Sequence, residues 1–120
     1  MDSKVLKEAG IDLERGVARF LGDRQLYESI LLNFLVDKTF ANAKEAMEEE
    51  NYKDLYECVH TLKGVAANTD MTILYRTTGE LCDYLRKQEA PDKEKTTLLF
   101  CQMEEAYYSV MKGIVAARGA

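Results

Sequence analysis

The chain has 120 residues, of which 47% are hydrophobic, and this length and composition predict one domain, residues 1–120, with one core. Sixteen Lys and Arg against 21 Asp and Glu give a formal net charge of −5, which argues against nucleic-acid binding, since such surfaces are normally basic. There is neither an apolar run of about 18 residues nor an apolar N-terminal segment, so we expect a cytoplasmic protein that does not contact membranes.

The elements predicted along the chain are all helices. Residues 1–10 begin polar and can fray, and Asp12 then caps a short helix that ends near Leu21. Four longer helices are predicted at about residues 24–49, 52–67, 71–87 and 91–117. Four long helices with short connections predict an antiparallel, up-down four-helix bundle, and the extra N-terminal helix is predicted to cover one end of it.

Apolar residues at helical spacing also predict which face of each helix is buried. The helix predicted at 24–49 carries such a pattern, with Leu26 and Tyr27 near its start and Phe40 in its second half. For the last helix, the predicted inner stripe is Leu98, Cys101, Tyr108, Met111 and Val115. The chain has three widely spaced cysteines, which fit no zinc or redox pattern, and we expect all three to be reduced and in or near the core: Cys58, Cys82 and Cys101.

The helix predicted at 52–67 contains His60, the only histidine. On a helical wheel centred on Leu62, one apolar stripe lies within about 60° of that residue. The stripe consists of Leu55, Cys58, Val59, Val65 and Ala66. His60 falls about 160° away, so the helix is predicted to bury Leu62 and to expose His60 to water.

The residues predicted around His60 are of the kinds expected beside a nucleophile that contacts a partner protein. Lys53, Glu57, Gly64 and Ala67 share its side of the helix, with Tyr56 and Lys63 on the flank. An imidazole titrates near neutral pH, so a large fraction is neutral and nucleophilic in the cell. Lys63 can neutralise an added phosphoryl group, and Tyr56 can orient the ring or join a docking surface. Glycine inside a helix costs roughly 0.5–1 kcal/mol relative to alanine, so Gly64 suggests close approach by a partner.

The segment His60-Thr61-Leu62-Lys63-Gly64 resembles the H-x-L-K-G signature of histidine-containing phosphotransfer (HPt) domains. The earlier stretch from Gly10 to Tyr27 is also similar to the N-terminal part of bacterial members. Such domains are four-helix bundles that carry phosphate between receiver-domain aspartates in multistep two-component relays. The family often has glycine at the turn position that Asp70 occupies here, and aspartate tolerates the left-handed conformation better than most residues.

The resemblance implies that Nε2 of His60 accepts the phosphoryl group. It also implies that the partners are response-regulator receiver domains and a hybrid sensor histidine kinase. The receiver would supply Mg²⁺ and most of the catalytic groups, so the chain itself is expected to need no cofactor and to be a monomeric carrier rather than an enzyme.

Other site chemistries fit the sequence less well. Glu57 and His60 form an E-x-x-H pattern, but di-iron bundles need two such motifs and two further glutamates, all facing inward, so no metal site is predicted. No spacing suggests a base–nucleophile pair, and no glycine-rich phosphate loop is present. The remaining alternative is a helical protein–protein interaction module that transfers no phosphoryl group.

Overall fold

The computed structural model describes residues 1–119, which form seven α-helices. Their bounds are α1 (Ser3–Glu8), α2 (Leu13–Arg19), α3 (Arg24–Phe34), α4 (Thr39–Glu48), α5 (Tyr52–Thr69), α6 (Thr72–Lys87) and α7 (Lys93–Arg118). In this part of the chain, no helix is long and apolar enough to cross a bilayer.

Helices α4 to α7 form a bundle, and short connections join each of them to the next. α5 packs between α4 and α6, and α6 packs in turn against α7. α1 packs on α7, whereas α2 and α3 contact α5. The predicted all-helical bundle is therefore confirmed. The sequence predicted one extra N-terminal helix, whereas the structure has two, α1 and α2, before α3.

The single helix predicted at 24–49 is in fact two helices, α3 and α4. α3 buries Tyr27, Leu31 and Phe34, whereas α4 buries Phe40 and neighbouring alanines. In one continuous helix these two sets would point about 150° apart, so both could not face the same core. The break lets each set turn inward, and the Asp37 carboxylate accepts a hydrogen bond from the backbone N–H of Thr39 at 2.8 Å where α4 begins.

The N-terminal ten residues, which begin polar, contain α1. The Asp2 carboxylate caps this helix by accepting from the N–H groups of Lys4 and Val5. Leu6 is fully buried. Ala9, at the end of α1, lies so close to Gly113 of α7 that a side-chain carbon on Gly113 would overlap the Ala9 methyl group. Gly113 therefore lets α1 and α7 approach each other closely.

The predicted inner stripe of α7 is wrong. Leu98, Tyr108 and Val115 are 53%, 45% and 48% exposed. The residues that α7 buries lie on another face: Leu99, Phe100, Met103, Ala106, Tyr107, Val110 and Ile114. α7 has apolar residues on both faces, so periodicity alone cannot say which of them meets the bundle.

The three cysteines differ in burial, which corrects the expectation that all lie in or near the core. Cys82 is buried, Cys58 is half-buried and Cys101 is exposed. Burial raises the pKa of the Cys82 thiol to about 11, so this group is an inert part of the core at neutral pH.

The turn after α5 is held by the N-terminal part of the chain. Asp70 adopts the left-handed conformation, with φ of 56°. Its carboxylate accepts two hydrogen bonds from the Arg19 guanidinium, at 3.0 and 3.1 Å. Backbone hydrogen bonds join Asp12 N–H to the Asp70 carbonyl at 2.9 Å and Thr72 N–H to the Gly10 carbonyl at 2.8 Å. These contacts fix the C-terminal end of α5 in the bundle.

Candidate functional site

α5 is the helix that positions His60. It begins at the Asn51 cap, whose side chain accepts from the Asp54 N–H at 3.1 Å. Four apolar residues on one side of α5 are fully buried: Leu55, Val59, Leu62 and Ala66. His60 lies on the opposite side and is exposed, so the predicted orientation of this helix is confirmed.

The His60 ring is in contact with one aromatic neighbour. The Tyr56 ring lies one turn earlier on α5, with its centroid 5.9 Å from that of the imidazole and the ring planes 16° apart. Tyr56 is itself half-buried and packs against the core. The stack therefore favours one orientation of an otherwise exposed imidazole.

Lys63 lies one turn after His60 and leans towards α6. Its Nζ is 5.8 Å from the centroid of the Tyr75 ring, within the range of a cation–π interaction. The lysine stem passes close to Gly79 of α6. The positive charge is thus held on the α6 side of the His60 ring. The sequence analysis did not identify Tyr75 as a neighbour of Lys63, since nothing local to either residue indicates this contact.

Gly64 faces open space. A side-chain carbon built on it would have no heavy atom within 4 Å beyond its own local backbone. No packing contact within the described residues therefore requires glycine at this position in the middle of α5.

The other predicted site residues extend along the same side of α5. Lys53 and Glu57 are exposed and line a shallow groove that reaches the end of α6 at Arg86. Ala67 is half-buried and lines a second groove at the other end of the helix. From Lys53 to Ala67 the helix rises about 21 Å, so the seven predicted residues form one elongated face.

Arg15 and Arg19 of α2 also border the groove beside Ala67, together with Asp70. Sequence analysis missed these two arginines. They lie one turn apart on α2, but only their ion pairs with Asp70 bring them to the end of the His60 face.

Charge is distributed unevenly around His60. The groove between α4 and α5 is lined by four carboxylates: Glu45, Glu49, Asp54 and Glu57. The α6 side carries the Lys63 ammonium group. Within residues 1–119, no group of three or more His, Cys, Asp or Glu side chains is placed to hold a metal ion. The exposed imidazole of His60 therefore has a cation on one side and negative charge on the other.

Comparison with known proteins identifies the family. The family model described as Hpt domain matches residues 35–109, which is more than half of the chain and includes α4, α5 and α6. No curated protein and no solved structure matches the chain. The chain belongs to the Hpt domain family, whose members carry phosphoryl groups in phosphorelays and interact with response-regulator receivers.

Proposed function

We propose that this chain is a phosphorelay carrier in which His60 accepts a phosphoryl group from the aspartyl phosphate of one receiver domain and passes it to another. The observation that supports this most directly is the placement of the only histidine. His60 is exposed in the middle of α5, within the H-x-L-K-G segment of an Hpt domain.

The proposed chemistry is nucleophilic substitution at phosphorus. The Nε2 lone pair, assigned by the family resemblance, attacks the phosphorus atom while the bond to the aspartate oxygen breaks and its electron pair leaves with the carboxylate. Transfer to the second receiver reverses these steps, with an aspartate oxygen as nucleophile and the imidazole as leaving group. The receiver supplies Mg²⁺ and most catalytic groups, so the chain contributes a positioned nucleophile and is not itself an enzyme.

The neighbours of His60 have separate proposed roles. Tyr56 orients the ring through its stack, and Lys63 offsets the charge of the phosphoryl group. Gly64 leaves space for the receiver beside the imidazole. The docking surface continues along α5 through three further residues: Lys53, Glu57 and Ala67.

The function can be tested by incubating the purified chain with a phosphorylated receiver and Mg²⁺. We expect the chain to gain a phosphate that is labile in acid and stable in base, and to lose it when a second, unphosphorylated receiver is added. If a receiver binds but no phosphate is transferred to the chain, the chain is an interaction module and the proposed function is wrong.

Replacing Lys63 is expected to weaken transfer without affecting the fold. Lys63→Ala should slow transfer or destabilise phospho-His60 by about 1–2 kcal/mol, the scale of a charge-assisted hydrogen bond. The transfer rate and the lifetime of the phosphohistidine at low salt measure this effect. Lys95→Ala is the matched control, because it removes an exposed lysine of α7 that lies outside the proposed docking surface. If the two variants behave alike, Lys63 has no special role.

Replacing Gly64 should raise the stability of the fold and slow phosphoryl transfer. Gly64→Ala is expected to raise the free energy of unfolding by up to about 1 kcal/mol, because alanine is the better helix former and the methyl group meets no other atom. Gly64→Gln should remain folded and transfer more slowly, because its side chain occupies the space beside the imidazole. Denaturant titration and the transfer assay measure the two effects.

Gly79→Ala controls for helix propensity alone, since the nearest atom to its new methyl group is the Lys63 Cε at 3.8 Å, an ordinary contact. It should give a similar gain in stability. If Gly64→Gln transfers at the normal rate, the access argument fails.

A further inference from the structure

The Lys63 side chain leaves α5 and lies along α6. Its Nζ is 5.8 Å from the centroid of the Tyr75 ring. A side-chain carbon built on Gly79, one turn after Tyr75, would lie 3.8 Å from the Lys63 Cε. Gly79 therefore leaves room for the lysine stem, and Tyr75 meets its charged end. Lys63 is half-buried in this arrangement, whereas Lys53 of the same helix is exposed.

The ammonium group of Lys63 is held without being neutralised. Within residues 1–119, Lys63 forms no ion pair with a carboxylate, and the Glu80 carboxylate of α6 pairs with Arg76 instead. An aromatic ring attracts a cation through its π electrons and leaves the positive charge in place. A carboxylate partner would instead compete with a phosphoryl group for the same N–H donors. The contact with Tyr75 therefore orients the ammonium group and keeps it available to an incoming anion.

Tyr75 contributes little to the packing of the bundle. It is 42% exposed and does not belong to the hydrophobic core. It lines the groove beside Ala67, so its ring leans towards α5. Other residues hold α6 in the bundle, among them Leu74 and Leu81, which are fully buried. Replacing Tyr75 should therefore leave the fold intact, and its contact with Lys63 can be tested separately.

A lysine on an open helix surface samples many rotamers, because its four-carbon stem is flexible. Ordering that stem costs conformational entropy, so a lysine already held beside its target loses less when it binds. Lys63 lies three residues after His60 on α5, and residues at this spacing are neighbours on a helix. The contact with Tyr75 thus places a partly ordered cation beside the imidazole before any phosphoryl group arrives.

We propose that Tyr75 is a positioning residue for phosphoryl transfer and that it acts through Lys63. This inference rests on the function proposed for His60. The Tyr75 ring holds the Lys63 ammonium group on the α6 side of the imidazole, where the lysine can donate to the oxygens of phospho-His60. Carboxylates line the opposite side, between α4 and α5, so the phosphoryl group is attracted towards α6.

Chemical phosphorylation tests this role without a receiver. Phosphoramidate transfers its phosphoryl group to an imidazole nitrogen and releases ammonia, and His60 is the only histidine, so one phosphohistidine forms. Its lifetime at neutral pH and low salt is then measured for each variant. Tyr75→Leu should shorten the lifetime about two- to fivefold, the range of a cation–π contact at an exposed site. Tyr75→Phe should keep the wild-type lifetime, because it keeps the face of the ring.

A double variant shows whether Tyr75 acts through Lys63. In a Lys63→Ala background, Tyr75→Leu should cause no further change in the lifetime. Tyr108→Leu is the matched control and should keep the wild-type lifetime, since Tyr108 is 45% exposed but lies on α7. The proposal is overturned if Tyr75→Leu has the same effect in both backgrounds, or if Tyr75→Leu alone keeps the wild-type lifetime.

NMR relaxation of the unphosphorylated chain tests the contact itself. The Lys63 Cε group should be more mobile in Tyr75→Leu than in wild type, and unchanged in Tyr75→Phe. Lys63→Ala identifies the signal, which disappears in that variant. If Lys63 is equally mobile in all three chains, the ring does not hold the lysine and the proposal is wrong. Failure of the relay function gives a different result, because no receiver then labels the chain while the differences in lifetime and mobility remain.

Discussion

His60→Gln should fold as the wild-type chain does and accept no phosphoryl group from any receiver. The side chain is exposed on α5, so its replacement leaves the buried stripe around Leu62 intact. A glutamine amide nitrogen has no available lone pair, because its lone pair is delocalised into the carbonyl group. The variant therefore has no nucleophile at the centre of the proposed docking face. The measurement is the acid-labile label gained from a phosphorylated receiver, with circular dichroism to confirm that the fold is retained.

Thr61→Gln is the matched control for this loss. Thr61 is the exposed neighbour of His60, and its hydroxyl donates only to the Glu57 carbonyl, at 3.0 Å within the same helix. This variant introduces the same side chain one position along α5 and should still become labelled. If His60→Gln gains an acid-labile phosphate, a residue other than the only histidine is the acceptor, and the proposed role of His60 is wrong.

Gly16→Ala should lower the free energy of unfolding by about 1–3 kcal/mol or more, because the added methyl group overpacks the core. A side-chain carbon on Gly16 would overlap the ring of Tyr27. That ring is fully buried, and its hydroxyl donates to the Thr69 carbonyl at 2.5 Å, so it cannot move aside without breaking a buried hydrogen bond. Burial and the nearby carboxylates of Asp70 and Asp12 raise the pKa of the Tyr27 phenol, so it remains a neutral donor.

Comparing the denaturant titrations of Gly16→Ala and Gly64→Ala isolates the effect of packing on stability. The substitution is the same, but Gly16 lies in a crowded position and Gly64 in an open one. The two changes in stability should have opposite signs. Adding Tyr27→Leu to Gly16→Ala should cost less than the sum of the single changes, because the smaller side chain removes the overlap. If Gly16→Ala is as stable as wild type, α2 does not pack on Tyr27 as described.

The orientation of α5 could be predicted from the sequence because this helix has a single apolar stripe. Leu55, Val59 and Leu62 define one buried side, and a 3.6-residue period then places His60 on the other. The left-handed turn at Asp70 could also be anticipated from the local tolerance of aspartate for positive φ. Each of these features depends on neighbouring residues along one helix or turn.

The break between α3 and α4 could not be predicted from the pattern of apolar residues within one helix. Tyr27 and Phe40 each belong to a good helical pattern, and the two patterns are out of phase. A continuous helix satisfies local propensity, but it cannot place both patterns in one core. The bundle therefore determines where the helix ends, because burying both sets of apolar side chains stabilises the fold more than one unbroken run of backbone hydrogen bonds.

The sequence by itself determined the helical fold class, the exposed position of His60 and the resemblance of its surroundings to the Hpt signature. Only the tertiary structure decided which apolar face of α7 is buried, and that Lys63 lies over Tyr75 and Arg19 binds Asp70. The physical reason is that periodicity relates residues within one helix, whereas these features depend on which helices become neighbours. On α7, where two faces are apolar, the contacts of Phe100 and Tyr107 with Phe40 of α4 mark the face that packs inward.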